Sequence, residues 1–472
     1  MESYLFEFSS AQFLLLQHNS SFTTQVTMAD IAGALSAAEN LVGGAAAFVK
    51  GIIHPTQPIN ATFTHITSAP VPRSYHSISI IKGRAYIFGG ETKAGTLANN
   101  DMQIVILPSS GVLDADYQSI PARSSSGKDV PAARKNHTTA VVGDEIYLFG
   151  GEDTSGPLNE EGRVWVYHTI SNSWSYLQPV GGQPYPSSRS SHTIAASDEP
   201  RAEGKTYHER FPQQPLDPAK AVPEPPRADT SGTLFIIGGK GTDGTIYNDT
   251  WGFDIRTRSW SALPITPSPS TDSSAVIAGS HLYLFGGHDG NSYLGPSIFS
   301  LDISGVIRTS NISLPPTPDT PGWPWQTVSF DPSAGPSPRS GASLVPVTTG
   351  QGREYLLLIS GTGSSGPLAD VWSYQLPSSG RSAALTKDKT REAIGRDTKM
   401  ETWAEVQYLY VNAEGDAVKA KQGQVEVFEG RSGFASAKGT EVDGATAVVW
   451  GGVGGNESGQ VLGDGWLITV DR

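Results

Sequence analysis

The sequence predicts an all-β fold, a six-bladed β-propeller in which short four-stranded sheets are arranged around a central axis. Two repeated patterns predict it: an apolar strand that runs into glycine, and an aromatic strand that follows each copy. The composition is the third observation. In 472 residues there are 53 glycines and 33 prolines but only 17% charged residues, which favours many turns over long helices.

The first pattern occurs six times. Four clear copies end in Gly-Gly, as in RAYIFGG and HLYLFGG, and they end at Gly90, Gly151, Gly239 and Gly287. Two weaker copies are EYLLLISG, which ends at Gly361, and TAVVWGG, which ends at Gly452. An apolar run bounded by glycine is typical of a short buried strand that ends in a turn.

The second pattern places a further strand after each glycine pair. These strands are predicted at 102–107, 163–169, 249–255, 297–303, 370–376 and 465–470. A last strand in each of the first five units is expected near Tyr117, Trp174, Trp260, Trp325 and Trp403. A single sheet of four strands cannot bury both of its faces, so we expect the units to stack around an axis.

Ring closure is also predicted by the sequence. The sixth unit ends just after its third strand, and its fourth strand is missing there. Residues 61–67, ATFTHIT, alternate apolar and polar side chains ahead of the first unit. We therefore expect 61–67 to pair into the last blade, so that no open sheet edge is left.

These features resemble the kelch family of β-propellers, which includes galactose oxidase-like central domains and plant specifier proteins. The shared marks are the glycine pair after a strand, the spaced aromatic pair such as Trp165 and Trp174, and an arginine before the first strand. The resemblance covers 61–472. It departs from the family in two units, because Ser270 replaces the arginine in blade four and Ser360 replaces the first glycine in blade five.

Segments outside the repeat have their own predictions. Residues 1–27 are expected to be disordered, and 28–60 to form a helix, over 29–53, and a linker. Two insertions interrupt the propeller. The first, 198–230, is rich in proline and charge and predicts an extended excursion in blade three. The second, 381–400, is basic and predicts a short helix in blade five, with a solvated loop or a contact for a partner as the two interpretations of its charge.

Composition excludes several classes of function. There is no cysteine, which rules out disulfides, thiolate metal sites and a cysteine nucleophile, and it also rules out the tyrosine–cysteine copper cofactor of the oxidases in the resembling family. The formal net charge of −13 argues against nucleic acid and anionic membranes as partners. The first residues are expected to be a poor secretory signal, because no Lys or Arg precedes their short apolar patch, and no apolar run is long enough to span a membrane. We expect a cytoplasmic protein, or one that is also nuclear, with no metal and no cofactor.

Arginines provide the candidate binding site. They stand at the head of the first strand in five units, at Arg73, Arg134, Arg189, Arg339 and Arg431. Equivalent blades would gather them into a ring near one mouth of the channel, where guanidinium forks bind carboxylates bidentately. The alternative is that each arginine bonds the backbone of a neighbouring blade or an acid of its own blade, such as Glu91 or Glu152. The nearby His76, His137 and His192 are expected to pack or hydrogen-bond between blades.

Two functions follow from this interpretation. The favoured one is a protein-interaction module without catalytic residues, which binds an acidic peptide or partner protein through the loop face of the propeller. The alternative is a small-molecule lyase or isomerase at the channel mouth, similar to the specifier proteins or to the mutarotases, in specialised metabolism. Specifier proteins hold iron with Glu, Asp and His spaced by four residues each, and this sequence contains no such set.

Overall fold

The computed structural model describes residues 55–67, 71–107, 116–127, 129–199, 231–308, 324–328, 334–349, 352–378, 382–411, 417–418, 428–439, 445–455 and 460–470. The predicted disorder at 1–27, the predicted helix at 29–53 and nearly all of the insertion at 198–230 lie outside these residues.

The first three blades follow one another along the chain after strand β1 (Asn60–Thr67). Blade one contains β2 (Ser77–Ile81), β3 (Arg84–Phe88), β4 (Glu91–Lys93), β5 (Thr96–Leu97), β6 (Met102–Ile106) and β7 (Asp116–Ile120). Blade two contains β8 (Thr138–Val142), β9 (Glu145–Phe149), β10 (Glu152–Asp153), β11 (Gly156–Pro157), β12 (Val164–His168) and β13 (Ser173–Leu177). Blade three contains β14 (Arg189–Ser190), β15 (Thr193–Ser197), β16 (Thr233–Ile237), β17 (Lys240–Gly241), β18 (Thr250–Asp254) and β19 (Ser259–Leu263).

The remaining blades include both described helices. Blade four contains β20 (Ser274–Ala278), β21 (His281–Phe285), β22 (Ile298–Asp302), α1 (Ser304–Arg308) and β23 (Gln326–Val328). Blade five contains β24 (Ser343–Thr348), β25 (Glu354–Ile359), β26 (Thr362–Gly363), β27 (Gly366–Pro367), β28 (Val371–Gln375), α2 (Ala383–Ala393) and β29 (Trp403–Glu405). Two linking strands and blade six follow: β30 (Gln407–Val411), β31 (Ala417–Val418), β32 (Arg431–Ser432), β33 (Ala435–Lys438), β34 (Thr446–Gly454) and β35 (Val461–Val470).

Each of blades one to five is a four-stranded antiparallel meander, and the predicted six-bladed propeller is confirmed. The predicted closure is confirmed as well. Strand β1 pairs antiparallel with β35, with Ala61 opposite Val470 and Phe63 opposite Ile468. One addition to this last blade was not predicted from the sequence: β30 lies parallel to β1 on its other side, and β31 pairs with β30.

The hydrophobic core is divided among the boundaries between blades. The described residues form six apolar clusters, and each combines residues of two neighbouring blades. An aromatic residue that ends the second strand of one blade packs on the fourth-strand tryptophan of the next. Phe88 and Trp174 lie 5.0 Å apart between ring centroids, and Phe149 and Trp260 lie 5.2 Å apart. The blades are therefore stabilised mainly by each other, as the repeat pattern requires.

The basic insertion in blade five folds as helix α2. The side chain of Ser382 caps its first turn by accepting a hydrogen bond from the backbone N–H of Leu385. The helix packs on the blade through Asp388, which accepts two hydrogen bonds, of 2.6 and 2.8 Å, from the buried guanidinium of Arg353. Within the described chain, neither helix is long and apolar enough to cross a membrane.

Candidate binding site at the channel mouth

Four of the five candidate arginines lie inside their blades, with at most 1% of their surface exposed: Arg134, Arg189, Arg339 and Arg431. Each guanidinium donates to both oxygens of one carboxylate of the same blade, over 2.6 to 2.9 Å. The pairs are Arg134 with Glu160, Arg189 with Asp249, Arg339 with Asp370 and Arg431 with Asp464. These guanidinium groups are therefore already paired.

The same carboxylates also bind the third-strand tryptophans. The indole N–H groups of Trp165, Trp251, Trp372 and Trp466 donate to them over 2.6 to 2.8 Å. Each arginine also donates to the carbonyl of the first residue of its blade's glycine pair, or of Ser360 in blade five, as Arg189 does to Gly238 over 2.8 Å. The motif Asp-x-Trp, present at 249–251, 370–372 and 464–466, marks three of these carboxylates and is the sequence signal that could have predicted them.

These contacts correct the expected ring of open guanidinium groups. The sequence also left open that each arginine pairs with an acid of its own blade, and the four arginines do so. The acids are Glu160 and its equivalents in the other blades. Glu91 instead accepts from Lys135 over 2.7 Å, and Glu152 accepts from Asn136 over 2.8 Å.

Arg73, the fifth candidate, is also buried, at 9% exposure. It donates to the carbonyl of Pro72, and its Nε has no partner among the described residues. Burial lowers the pKa of Arg73, while Tyr117 and Asp101 raise it.

The glycine pairs form the joints between blades. The second glycine donates its N–H to the carbonyl at the arginine position of the next blade, as Gly90 does to Arg134 over 2.8 Å and Gly452 does to Arg73 over 2.7 Å. A Cβ on Gly89 would lie 2.4 Å from the Arg134 carbonyl oxygen, so a side chain clashes there. Ser360 replaces this glycine in blade five, and its hydroxyl contacts the Arg431 carbonyl over 3.2 Å.

A ring of six residues lies at the mouth of the central channel, one from each blade and two positions after the arginine position. In blade order they are Tyr75, Asn136, Ser191, Asp272, Gly341 and Gly433, all with φ between 52° and 61°. We call these six residues the mouth ring. Five of its members donate their backbone N–H to the carbonyl of the member in the preceding blade, over 2.6 to 3.0 Å. The backbone of the ring is therefore held from blade to blade, while its side chains vary.

The mouth ring surrounds a cavity of about 160 Å³ on the propeller axis. The next residue of each blade lines the same cavity: His76, His137, His192, Ser273, Ala342 and Phe434. His137 and His192 hydrogen-bond through Nε2 to Ser77 and Thr138 of the preceding blades, over 2.9 and 2.7 Å. These contacts agree with the expected hydrogen bonds between blades.

His76 lacks such a contact, because the preceding blade has Ala435 at the position that Ser77 and Thr138 occupy. Both of its ring nitrogens are buried without a partner among the described residues. Burial lowers the pKa of His76 and of His192 to about 3, and it lowers the pKa of His137 well below its ordinary value. All three imidazoles are therefore neutral at pH 7.

Asp272 is the only charged member of the mouth ring. Water reaches its side chain from the channel, but protein encloses it on the other sides, and this enclosure raises the pKa of Asp272. The hydroxyls of Ser191 and Thr271 oppose the shift, and the carboxylate of Glu152 adds to it. In the part of the chain that the structure describes, no basic side chain forms an ion pair with Asp272.

Two glycines leave one side of the mouth ring without side chains. A Cβ on Gly433 would lie 2.8 Å from the ring of Tyr75, so glycine is required where that tyrosine crosses blade six. A Cβ on Gly341 would have no atom within 4 Å. Gly341 follows Asp272 in blade order, so the mouth has free space beside this carboxylate.

A second cavity, of about 380 Å³, lies between blades one and two at the opposite ends of their strands. It is lined by exposed Ile106 and Ile170 together with Lys82 and Arg84. None of the five candidate arginines, the three buried histidines or the mouth-ring residues contributes to it. The described residues contain no group of three or more histidines, aspartates and glutamates placed to hold a metal ion.

Six blades joined by glycine pairs, with a buried arginine, carboxylate and tryptophan repeated in four of them, define a kelch-type β-propeller. The family model for the KLHDC2/KLHL20/DRC7 Kelch-repeats domain matches residues 63–201 and 228–413, and the chain belongs to this family of kelch repeats.

Individual relatives match shorter parts of the chain. Tip elongation aberrant protein 1 of Schizosaccharomyces pombe is 28% identical over 319 residues, which are 60% of this chain and 26% of that protein. N-(sulfonatooxy)prop-2-enimidothioate sulfolyase of Thlaspi arvense is 28% identical over 130 residues, 27% of this chain and 34% of that protein. The chain thus spans a minor part of the length of both relatives. The solved structure of YjhT is similar to this chain with a TM-score of 0.47 and 14% sequence identity. The similar region includes 86% of this chain and 99% of the YjhT chain.

Proposed function

We propose that this chain is a protein-interaction module that binds a partner polypeptide at the face formed by the mouth ring and the loops after the glycine pairs. Kelch propellers are generally protein-interaction domains, and the family match supports this class of function. The residue that supports the choice of face best is Tyr75.

Tyr75 has φ of 56° and is 37% exposed. This left-handed backbone conformation is unfavourable for a bulky side chain, and the equivalent residues of blades five and six are glycine. Strained residues that persist at a surface are common at functional sites. An exposed tyrosine is also well suited to binding, since it offers apolar area and a hydroxyl at a low cost in conformational entropy.

The arginine geometry changes the partner chemistry that we expect. The expected acidic peptide depended on free guanidinium groups, and four of these are paired inside their blades. The lysine nearest the ring, Lys135, is paired with Glu91. Since the charged member of the mouth ring is Asp272, the geometry favours a partner with polar or basic groups at this position.

A cytoplasmic or nuclear location is part of the proposal. It rests on the cysteine-free composition, which suits a reducing compartment. The net charge of −13 supports a protein partner over nucleic acid.

A small-molecule enzyme is the alternative, and the similarity to the Thlaspi arvense sulfolyase over 27% of this chain favours it. An enzyme of this type would be stabilised by its ligand. A metabolite and metal screen read by melting temperature therefore separates the two functions, because a specific rise with one small molecule supports the enzyme.

The interaction function is tested by capturing partners from the source cells with the full chain and its variants. Tyr75→Gly removes the exposed ring and places at this position the residue found in blades five and six. We expect the affinity for the captured partner to fall at least about thirtyfold, since aromatic side chains at interface centres cost 2 kcal/mol or more when removed.

Tyr117→Ser is the matched control. It changes an exposed tyrosine of the same blade on its outermost strand, far from the axis. Partner capture by this variant should equal that of the unmodified chain. Equal capture by Tyr75→Gly, with both variants folded, would instead refute the proposed face.

A further inference from the structure

We infer that the channel mouth contains a pocket for a basic group, the ammonium of a lysine or the guanidinium of an arginine, supplied by the partner polypeptide. Asp272 and Tyr75 bound this pocket, and His76 lies lower in the same cavity. The inference rests on the proposed function, because it names the group that a partner inserts at the same face.

Asp272 supplies the attraction. Its carboxylate is open to the channel, and the groups that face it are the hydroxyls of Ser191 and Thr271, the carboxylate of Glu152 and the imidazole of His288. No cation of the described chain is paired with it. A carboxylate that faces a cavity without a counter-charge can form a charge-assisted hydrogen bond with an incoming cation.

Gly341 supplies the space. Beside Asp272, a Cβ on Gly341 would meet no atom within 4 Å, whereas the ring of Tyr75 covers Gly433. Tyr75 and Asp272 come from blades one and four, which are opposite each other in a six-membered ring. A basic side chain entering over Gly341 therefore meets a carboxylate on one side and an aromatic ring on the other, the arrangement that favours cations.

His76 is the second, independent observation. It is 6% exposed and lines the same cavity, and both of its ring nitrogens lack partners among the described residues. The equivalent His137 and His192 each have a hydroxyl partner for Nε2. Buried polar groups are almost always satisfied by protein, water or ligand, so the orphaned imidazole indicates that something polar occupies the cavity.

The signs of the nearby charges decide the class of ligand. An anionic group in this cavity would face Asp272 and, close behind it, Glu152. A neutral apolar group would leave Asp272 without a counter-charge and His76 without a hydrogen-bond partner. A positively charged nitrogen with several N–H donors satisfies the carboxylate and still has donors for neutral acceptors.

Binding of three blocked amino acids to the full chain, measured by ligand-observed NMR, tests the pocket. N-acetyl-lysine methylamide and N-acetyl-arginine methylamide carry the basic groups, and N-acetyl-norleucine methylamide is the uncharged control. We expect at least one basic probe to bind and the norleucine probe to show no binding. Spermidine, a free amine, is measured alongside them.

Two variants test separately the charge of Asp272 and the free space beside Gly341. Asp272→Asn should weaken binding of the basic probe by at least about tenfold, since it removes the one charge of the mouth ring that the probe faces. Gly341→Asn keeps the carboxylate but fills the free space, and asparagine already occupies the equivalent position as Asn136. This variant should also fail to bind the basic probe. Asp144→Asn, an exposed aspartate at the far end of blade two, is the matched control and should bind as the unmodified chain does.

Acidification should weaken binding of the basic probe, because protonation removes the negative charge of Asp272. The surrounding protein raises the pKa of this carboxyl. Equal binding of the norleucine probe, or unchanged binding by Asp272→Asn, would overturn the pocket. Spermidine binding more tightly than both blocked amino acids would support the cation pocket but overturn the polypeptide as its source. If no basic probe binds while Tyr75→Gly still abolishes partner capture, the pocket fails and the proposed function stands.

Discussion

Buried arginines are the most repeated residues of the site region, and each one joins three parts of its blade. Arg189, for example, contacts the carboxylate of Asp249 and the carbonyl of Gly238, and Trp251 shares that carboxylate. Blade four lacks both charges, since Ser270 stands at the arginine position and Ser297 at the aspartate position. Losing the pair together avoids an unpaired buried charge, which would cost more than the pair itself contributes.

This pairing predicts a non-additive response in blade three. Arg189→Ser leaves Asp249 partly buried without its cation and should lower the free energy of unfolding by about 3–5 kcal/mol. The double variant Arg189→Ser, Asp249→Ser reproduces the residues of blade four and should be more stable than that single variant. Urea denaturation with equal m-values gives both quantities. A double variant as unstable as the sum of the two single changes would contradict this account.

The buried histidines predict the pH dependence of stability. In the unfolded chain a histidine has a pKa of about 6.5, whereas burial lowers the pKa of His76 and His192 to about 3 in the folded protein. Only the unfolded chain gains these protons as the pH falls. Stability is therefore complete above about pH 6.5 and is lost progressively toward pH 3.

Melting temperatures between pH 7.5 and 5 measure this effect. His76→Phe, which places at this position the residue of blade six, should have a shallower decline than the unmodified chain. Asp272 acts in the opposite direction, because enclosure raises its pKa, so the comparison with the variant isolates the histidine. An equally steep decline in His76→Phe would refute the assignment.

At the scale of the elements, repeated local patterns made most strands predictable. The glycine pairs, the aromatic strands and the alternating residues 61–67 each indicate a strand from a few consecutive residues. The parallel pairing of β30 with β1 was missed, because it joins segments far apart in the sequence and no local residue pattern specifies it. The arginine ring was wrong for a related reason, since the position of a residue on a strand does not tell whether its side chain turns toward the axis or into the blade.

Strand β1 should carry a large share of the stability of blade six. Phe63 is 1% exposed and lies between the rings of Tyr408, Tyr410 and Phe428, with centroid distances from 4.8 to 5.7 Å. Phe63→Ala should therefore lower the free energy of unfolding by about 3–5 kcal/mol. Thr64→Ala, its half-buried neighbour on the opposite face of the strand, is the control and should cost about 1 kcal/mol or less. Equal losses in the two variants, measured by urea denaturation, would contradict this role.

The whole molecule combines a regular frame with an irregular mouth. Its frame of glycine joints and six apolar boundaries repeats from blade to blade, which is why the strands could be predicted from the sequence. Tyr75, Asn136, Ser191 and Asp272 share one backbone conformation but have different side chains. Because the residue type differs at each equivalent position, no repeated pattern in the sequence marks these residues. Only the structure shows that they lie together in one ring. Their difference from blade to blade is what gives the channel mouth a particular chemistry.

The position of β1 between β30 and β35 also has a consequence for biosynthesis. This strand leaves the ribosome before every blade, whereas β30 follows five of them and β35 is translated last among the described strands. A nascent chain must therefore hold an apolar segment unpaired while most of the propeller is made. A product that ends before β35 leaves one edge of β1 without its partner strand, and an unpaired strand edge favours aggregation.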